Sequence, residues 1–160
     1  MGYVQKILQP DEQVVYSAPI HWVVYLRALF LTLLGIAVLA WFMVQPPPPP
    51  DQSPIWKTMT LIIGCALLFA ALVSFIGALI ERKSTELVIT SRRVIAKTGL
   101  IRRHTWEINA AKVEGVEVAQ SILGRILDFG TVTVKGTGGG TAPIRNIDDP
   151  VAFRSHVTSL

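Results

Sequence analysis

The sequence contains little charge and almost no cysteine. Only 16% of its 160 residues are charged, and Cys65 is the single cysteine, which excludes a disulfide framework and a thiol metal cluster. The three histidines, His21, His104 and His156, are scattered without a cysteine or carboxylate pair at ligand spacing. We therefore expect no metal site and no cofactor.

Motifs for catalysis and for phosphate binding are also missing. No nucleophile elbow accompanies the serines. The glycine-rich run 136–140 lacks the Lys-Ser/Thr pair of a phosphate loop and leads into a predicted strand, which is typical of a flexible hairpin. Residues 81–160 hold 12 basic and 8 acidic residues, a balance too mild for nucleic-acid binding. The sequence predicts a protein that is not an enzyme and does not bind nucleic acid.

Two long apolar runs are the main feature of the chain. Residues 58–80 contain no charge, and residues 22–44 contain only Arg27. At about 1.5 Å per residue each run covers roughly 35 Å, which is enough to cross the ~30 Å hydrocarbon core of a bilayer. We predict transmembrane helices at 22–44 and 58–80, because runs of this length without charge are rare in soluble cores.

These helices divide the chain into a head (1–21), a proline-rich loop (45–57) and a tail (81–160). Arg27, Arg82 and Lys83 lie near the span ends on the side of the termini, against Lys57 alone on the loop side. The positive-inside rule therefore predicts a multi-pass protein of the cell (inner) membrane with both termini cytoplasmic and an extracytoplasmic loop. The mild positive charge of the tail suits a position beside an anionic leaflet.

From Glu81 onward the apolar period changes from 3.6 to 2. Six short alternating segments predict antiparallel strands, and Asp148 or Asp149 before Pro150 predicts a capped C-terminal helix with Val151, Phe153 and Val157 facing inward. The tail should be a mostly-β curled sheet or partly open barrel closed by that helix. Residues 13–18 also alternate, and we predict that they add an edge strand to the sheet.

Several ordered motifs carry a resemblance to a known family. They are the segment Leu-Val-Ile-Thr-Ser-Arg-Arg-Val-Ile at 87–95, the segments 120–127 and 130–132, and the segment 147–154, preceded by Glu12 and His21-Trp22. The chain resembles the bacterial pleckstrin-homology-like (PH-like) domain of small integral membrane proteins, a domain-of-unknown-function family. Ser91 stands where asparagine is usual. The resemblance implies a sheet of about seven strands closed by a C-terminal helix, no particular activity, and assembly with related membrane proteins.

Three groups of residues are candidate interaction surfaces. A basic face on adjoining hairpins would contact anionic headgroups or a partner, or would only be solvated: Arg92, Arg93, Lys97, Arg102 and Arg103. A stripe of small residues would close the helix pair or also serve oligomerisation: Ala66, Ala70, Ser74 and Ala78. One face of a short helix would plug the open end of the sheet or dock a partner: Ile122, Leu123, Ile126 and Leu127.

Together these features predict a non-catalytic integral membrane protein. It would present a PH-like domain at the cytoplasmic face as a protein-interaction and assembly scaffold. Its partners would be membrane lipids and either copies of itself or a related PH-like membrane protein. The alternative is a binding module for anionic lipid headgroups at the inner leaflet.

Overall fold

The computed structural model describes Val4 and residues 7–47, 49, 55–100, 102–137 and 141–159. Pro48 and residues 50–54 of the predicted loop lie outside the described residues. The chain divides into two compact units. Residues 25–79 form the helical unit, and residues 1–24 together with 80–160 form the β unit.

The helical unit is built from two long apolar helices. Helix α1 spans Leu26–Val44 and follows a 3₁₀ turn at Trp22–Tyr25. Helix α2 spans Ile55–Ser84, and its last residues reach into the β unit. Both are long and apolar enough to cross a membrane by length and composition. Most residues in the apolar part of each helix are not buried within the protein.

The two helices meet along a seam of small residues. Buried positions recur every seven residues, which is typical of helices packed side by side: Ala28 and Gly35 in α1, and Gly64, Ala71 and Ala78 in α2. A Cβ atom added at Gly35 would lie 2.8 Å from Leu68 Cδ2, and one added at Gly64 would lie 2.5 Å from Leu39 Cδ2. A larger residue at either glycine would therefore collide with a leucine of the facing helix.

Among the described residues, the β unit contains two antiparallel sheets, and one α-helix follows each of two strands of one sheet. The first sheet has the order β1-β2-β3-β4, with Val14–Ala18, Glu86–Thr90, Arg93–Thr98 and His104–Asn109. The second has the order β5-β6-β7, with Val113–Ala119, Phe129–Gly136 and Thr141–Asp148. A short helix α3 (Ile122–Ile126) joins β5 to β6, and α4 (Pro150–Thr158) follows β7.

The head supplies the first strand of the domain. Strand β1 pairs antiparallel with β2, with Ala18 opposite Leu87 and Ser17 opposite Val88. This confirms the prediction that residues 13–18 add an edge strand. It also explains the count of seven, since the tail contributes six strands and the head contributes one. An isolated bridge between Ile20 and Ile147 connects this segment to the second sheet.

Helix α4 packs against the inner faces of both sheets. The core contains Ile89, Val94, Val132, Ile147 and Phe153, all with no exposed surface, and further members from β1 to β7. Asp149 caps the helix by accepting a hydrogen bond from the Ala152 amide.

One predicted core position of α4 is wrong, because Val151 is 47% exposed. The buried face of the helix is formed by Pro150, Phe153 and Val157. These residues lie three and four positions apart, the spacing that brings side chains to one face of a helix. Proline thus takes the place that the sequence pattern assigns to valine.

The head also covers the outer face of the first sheet. Val4, Ile7 and Leu8 pack on Val88 of β2 and Ile95 of β3. The Val4 amide donates to the Glu86 carboxylate at 3.2 Å. Both faces of strands β2 and β3 are therefore buried, one by the main core and the other by the head.

Candidate interaction surfaces

A buried ion-pair network ties the head to the turn between β2 and β3. Arg93 donates from Nε to Glu12 Oε1 at 2.9 Å and from Nη2 to Glu12 Oε2 at 2.8 Å. The Thr90 hydroxyl donates to the same carboxylate at 2.6 Å, and Arg93 Nη1 donates to Glu107 Oε2 at 2.7 Å. The Glu12 side chain has no exposed surface. This bidentate contact between Arg93 and Glu12 holds the head in one position against the β2–β3 turn.

This network shifts the pKa values of both partners. The hydrogen bonds from Arg93 lower the pKa of Glu12 to about 2, against the opposing effect of burial and with help from Thr90. The hydrogen bond to Glu12 raises the pKa of Arg93. Both groups are therefore charged throughout the physiological range, and the pair acts as a fixed clasp.

The structure does not bring the five predicted basic residues onto one face. Arg93 and Lys97 share the outer face of β3 with Ile95, the face that the head covers. Their charges are met by carboxylates, Arg93 by Glu12 and Glu107, and Lys97 by Glu86 at 3.6 Å. The sequence pattern placed them correctly along β3 but could not show that the head covers this face.

The remaining three arginines lie at opposite ends of β3. Arg92, in the turn before the strand, is exposed and donates to Gln9 Oε1 at 3.2 Å. Arg102 and Arg103, in the turn after the strand, are also exposed. At about 3.3 Å per residue, a six-residue strand separates these two turns by roughly 20 Å.

Only one of these two ends of the β unit carries the chain segments that lead to α1 and from α2. Strand β1 ends at Ala18 opposite the start of β2, so the segments that lead to α1 and from α2 emerge together. The side-chain Nδ2 of Asn146 donates to Glu81 Oε1 at 3.1 Å, and the backbone N–H of His21 donates to the backbone carbonyl of Asn146 at 2.7 Å. We call this end, defined by residues 20–24 and 80–86, the helix-proximal end. The turn holding Arg102 and Arg103 lies there, because Lys97 pairs with Glu86.

Helix α3 exposes a compact group of large apolar side chains. Ile122, Leu123 and Ile126 are 82%, 64% and 71% exposed, and we call these three residues the apolar tip. Leu127 is half-buried. Leu127 follows the helix as its C-cap, and the three residues of the apolar tip face outward. Each such side chain would gain about 1.5–3 kcal/mol if it were fully buried.

The small-residue stripe of α2 is divided between the seam and the outside. Ala78 is buried and Ser74 is half-buried, whereas Ala66 and Ala70 are exposed. Residues four apart drift around a helix, because four residues exceed one turn of 3.6. The seam instead follows the seven-residue series Gly64, Ala71 and Ala78.

Among the described residues, four strands lie at the end of a sheet, namely β1, β4, β5 and β7, and the edges of β4 and β5 have no bridge to a further segment. Strand β4 is the last strand of the first sheet, and β5 is the first strand of the second. Strand β5 is the longer, with its Val116 and Val118 half-buried and its Glu114 and Glu117 exposed. Glu117 forms an ion pair with Lys135 at 2.9 Å, which lowers the Glu117 pKa. An unpaired strand edge is a ready template for an added strand.

Within the described part of the chain, no three His, Cys, Asp or Glu residues come together as metal ligands. A cavity of about 440 Å³ lies beside the clasp, at the end of the β unit that holds the β2–β3 turn and that we call the distal end; it is lined by Gln9, Glu12, Arg92, Arg93, Glu107 and Asn109. The charges of Glu12, Arg93 and Glu107 already satisfy one another there. This cavity therefore offers no reactive group.

Comparison with known proteins identifies the family of the chain. Residues 17–160 match the family model described as Bacterial PH domain. Because the match covers both apolar helices and the β unit after the first strand begins, the chain belongs to the bacterial PH domain family. This confirms the family resemblance. No curated protein and no solved structure matches this chain.

The clasp was not predicted from the sequence, although its residues stand in the family motifs. Glu12 lies in the Pro-Asp-Glu segment, and Thr90 and Arg93 belong to the Thr-Ser-Arg-Arg turn. The available signal was an acidic residue in the head, just before a predicted strand that was expected to join the sheet of the tail. Once β1 is placed beside β2, Glu12 must lie near the β2–β3 turn, because Val14 pairs with Thr90.

Proposed function

We propose that this protein is a non-catalytic, membrane-anchored scaffold. The α1–α2 pair anchors it in the cell membrane with both termini in the cytoplasm, and its PH domain binds protein partners there. PH-like domains are generally binding modules without catalytic activity, and the family match supports this class. The two long apolar helices, mostly unburied within the protein, support the anchor.

The unpaired edge of β5 carries the assembly part of the proposal. Six of its seven residues pair with β6, with a register shift between Val113 and Gly115, and among the described residues no strand pairs with its other side. Strand addition gives affinity through main-chain hydrogen bonds and selectivity through alternate side chains. The exposed Glu114 favours a partner strand that carries a basic residue. A copy of this chain or a related PH-like membrane protein is the partner we propose.

The membrane topology has a direct test. A cysteine at position 52, made by Gln52→Cys in a Cys65→Ser background, should react with an impermeant maleimide in intact cells. A cysteine at Ala111, exposed in the β unit, should react only after permeabilisation. The opposite pattern of labelling would reverse the orientation, and labelling of neither position before permeabilisation would remove the membrane-spanning anchor.

Photocrosslinking tests the β5 edge. Benzoylphenylalanine in place of Glu114 should form adducts in native membranes, whereas the same group in place of Arg92, exposed at the distal turn, should not. Mass spectrometry should locate the adduct in an extended segment of a copy or of a related PH-like protein. Equal adducts from both positions, or adducts with lipid alone, would contradict the partner role of this edge.

The alternative function, binding of anionic lipid headgroups, has one observation in its favour. Arg102 and Arg103 are exposed at the helix-proximal end, where the chain leads to both apolar helices. Each basic residue near an anionic surface contributes about 1 kcal/mol of attraction. Arg92, Arg93 and Lys97 do not support this function, because they lie at the distal end or in ion pairs covered by the head.

A further inference from the structure

The apolar tip is rigidly mounted although its side chains are exposed. The Ser121 hydroxyl caps α3 by accepting from the Gly124 amide at 3.0 Å. Gln120 Nε2 donates to the carbonyls of Gly124 and Phe129, both at 3.3 Å. Gly124 is buried, and a Cβ atom there would lie 2.6 Å from the Phe129 carbonyl oxygen. The glycine side of the helix is thus fixed to the domain, and the opposite side presents the three apolar side chains outward.

The apolar tip lies at the helix-proximal end. Helix α3 joins the end of β5 to the start of β6, where Ala119 pairs with Thr131 and Phe129 pairs with Asp148. The Phe129 ring stacks on His21 with 5.3 Å between centroids, and His21 immediately precedes the apolar run of α1. One end of the domain therefore holds both chain connections to the helices and the exposed apolar tip.

The same end carries further residues suited to a lipid surface. In the β3–β4 turn, Leu100 is 53% exposed, next to the exposed Arg102 and Arg103. Arg125 is exposed on α3 itself. Apolar side chains flanked by cationic ones are the composition of segments that lie in the interface of an anionic membrane.

We propose that the apolar tip inserts into the interfacial layer of the bilayer that holds the two helices. This inference rests on the proposed membrane anchor. The tip lies across β6 and β7 from the chain connection at Ile20 and His21, about 10 Å away at the usual strand spacing. It therefore forms a third attachment point, away from the two chain connections. Three attachment points would hold the domain in one orientation on the membrane.

Lipid-borne quenchers test this contact in the full chain. In nanodiscs with anionic lipid and a Cys65→Ser background, a fluorescent label at Ile126→Cys should be blue-shifted and quenched by nitroxide on the lipid chains. The same label at Ala111→Cys, exposed at the distal end, should be insensitive to these lipids. A label at Leu72→Cys, exposed on α2, reports on the anchor itself.

The three labels separate the possible failures. Quenching at Leu72 without quenching at Ile126 would overturn the insertion of the tip and leave the anchor intact. Loss of quenching at both positions would overturn the anchor. A label at Ile126 shielded from lipid and from aqueous quencher alike would mean that a protein, such as a second copy, covers the tip, and this too would overturn the inference.

Replacing two residues of the apolar tip should reduce the quenching by lipid. Ile122→Ser with Leu123→Ser, beside the label at Ile126, should lower the ratio of inserted to free tip about fivefold, since serine lacks the preference of Ile and Leu for the membrane. These side chains are exposed, so the fold should be retained, and an unchanged Trp106 resonance in ¹⁹F spectra would verify this. Undiminished quenching in the doubly substituted protein would contradict insertion through the apolar tip.

Discussion

Replacing Glu12 by glutamine should lower the free energy of unfolding of the β unit by about 3 kcal/mol at neutral pH. The loss follows from the pKa of Glu12, which hydrogen bonds from Arg93 lower from 4.5 to about 2 in the folded protein, since one pKa unit corresponds to about 1.4 kcal/mol. Glutamine retains one acceptor for Thr90 and Arg93 but removes the charge. The Arg93 guanidinium, with its side chain only 20% exposed, would then keep Glu107 as its charged partner.

The same substitution should remove part of the acid sensitivity of the domain. Because the folded pKa of Glu12 lies below its unfolded value, this stabilisation is complete above about pH 5. It is lost as the pH falls from 4.5 towards 2. The wild-type free energy of unfolding should therefore drop across this window by about 3 kcal/mol more than that of Glu12→Gln.

Urea unfolding of the full chain in nanodiscs, followed by the ¹⁹F resonance of fluorotryptophan at Trp106, provides the measurement. Asp11→Asn is the matched control, since Asp11 is the exposed neighbour of Glu12 and its loss should cost little. Arg93→Lys should also be destabilising, because lysine cannot reproduce the bidentate contact. Equal stabilities of Glu12→Gln and Asp11→Asn at pH 7, or parallel pH curves for Glu12→Gln and the wild type, would show that the clasp contributes nothing.

Replacing Gly35 by valine should open the helix pair. The new Cβ would lie 2.8 Å from Leu68 Cδ2 and 3.3 Å from the Leu68 backbone nitrogen, so the helices must move apart. Overpacking of this kind costs about 1–3 kcal/mol. Gly77→Val is the matched control, because it makes the same change in a helix with nothing within 4 Å of the added Cβ. Ala70→Leu, at an exposed position of the predicted stripe, should also leave the pair closed.

Spin labels at Ile36 and Ile63, both exposed, report the separation of the helices in a Cys65→Ser background. The distance distribution should be narrow for the wild type, Gly77→Val and Ala70→Leu. It should be longer and broader for Gly35→Val, and opening should occur at a lower fraction of SDS. A distribution for Gly35→Val that matches Gly77→Val would contradict tight packing of the two helices at Gly35.

Whether a segment forms a helix or a strand was predictable because one strong sequence pattern dominates it. Residues 58–80 lack any charge, and segments such as 131–135 alternate strictly, so helix and strand followed directly. The edge strand of the head was also predictable, since Val14, Tyr16 and Ala18 alternate and emerge near the start of β2. The local sequence pattern was therefore sufficient to assign these segments to helix or strand.

The candidate surfaces were harder to predict, because exposure depends on distant segments. Lys97 and Arg93 alternate correctly with Ile95, but only the packed head reveals that this face is covered. The apolar spacing of Ile122, Leu123 and Ile126 fits a plug as well as an outward tip. Gly124 decides between the two, since its contact with the Phe129 carbonyl turns the opposite side outward.

The pairing of β1 with β2 sets an order of assembly during synthesis. Glu12 and Thr90 are in contact but lie 78 positions apart, and both apolar helices are made between them. In the proposed topology β2 can acquire its neighbour only after both spans have been threaded and the chain has returned to the cytoplasm. A nascent chain that threads only one span leaves head and tail on opposite sides, with β2 bare at its edge and Arg93 without Glu12. In the proposed topology the domain can therefore be completed only in a chain whose two spans have both crossed the membrane, so that folding of the β unit depends on correct insertion.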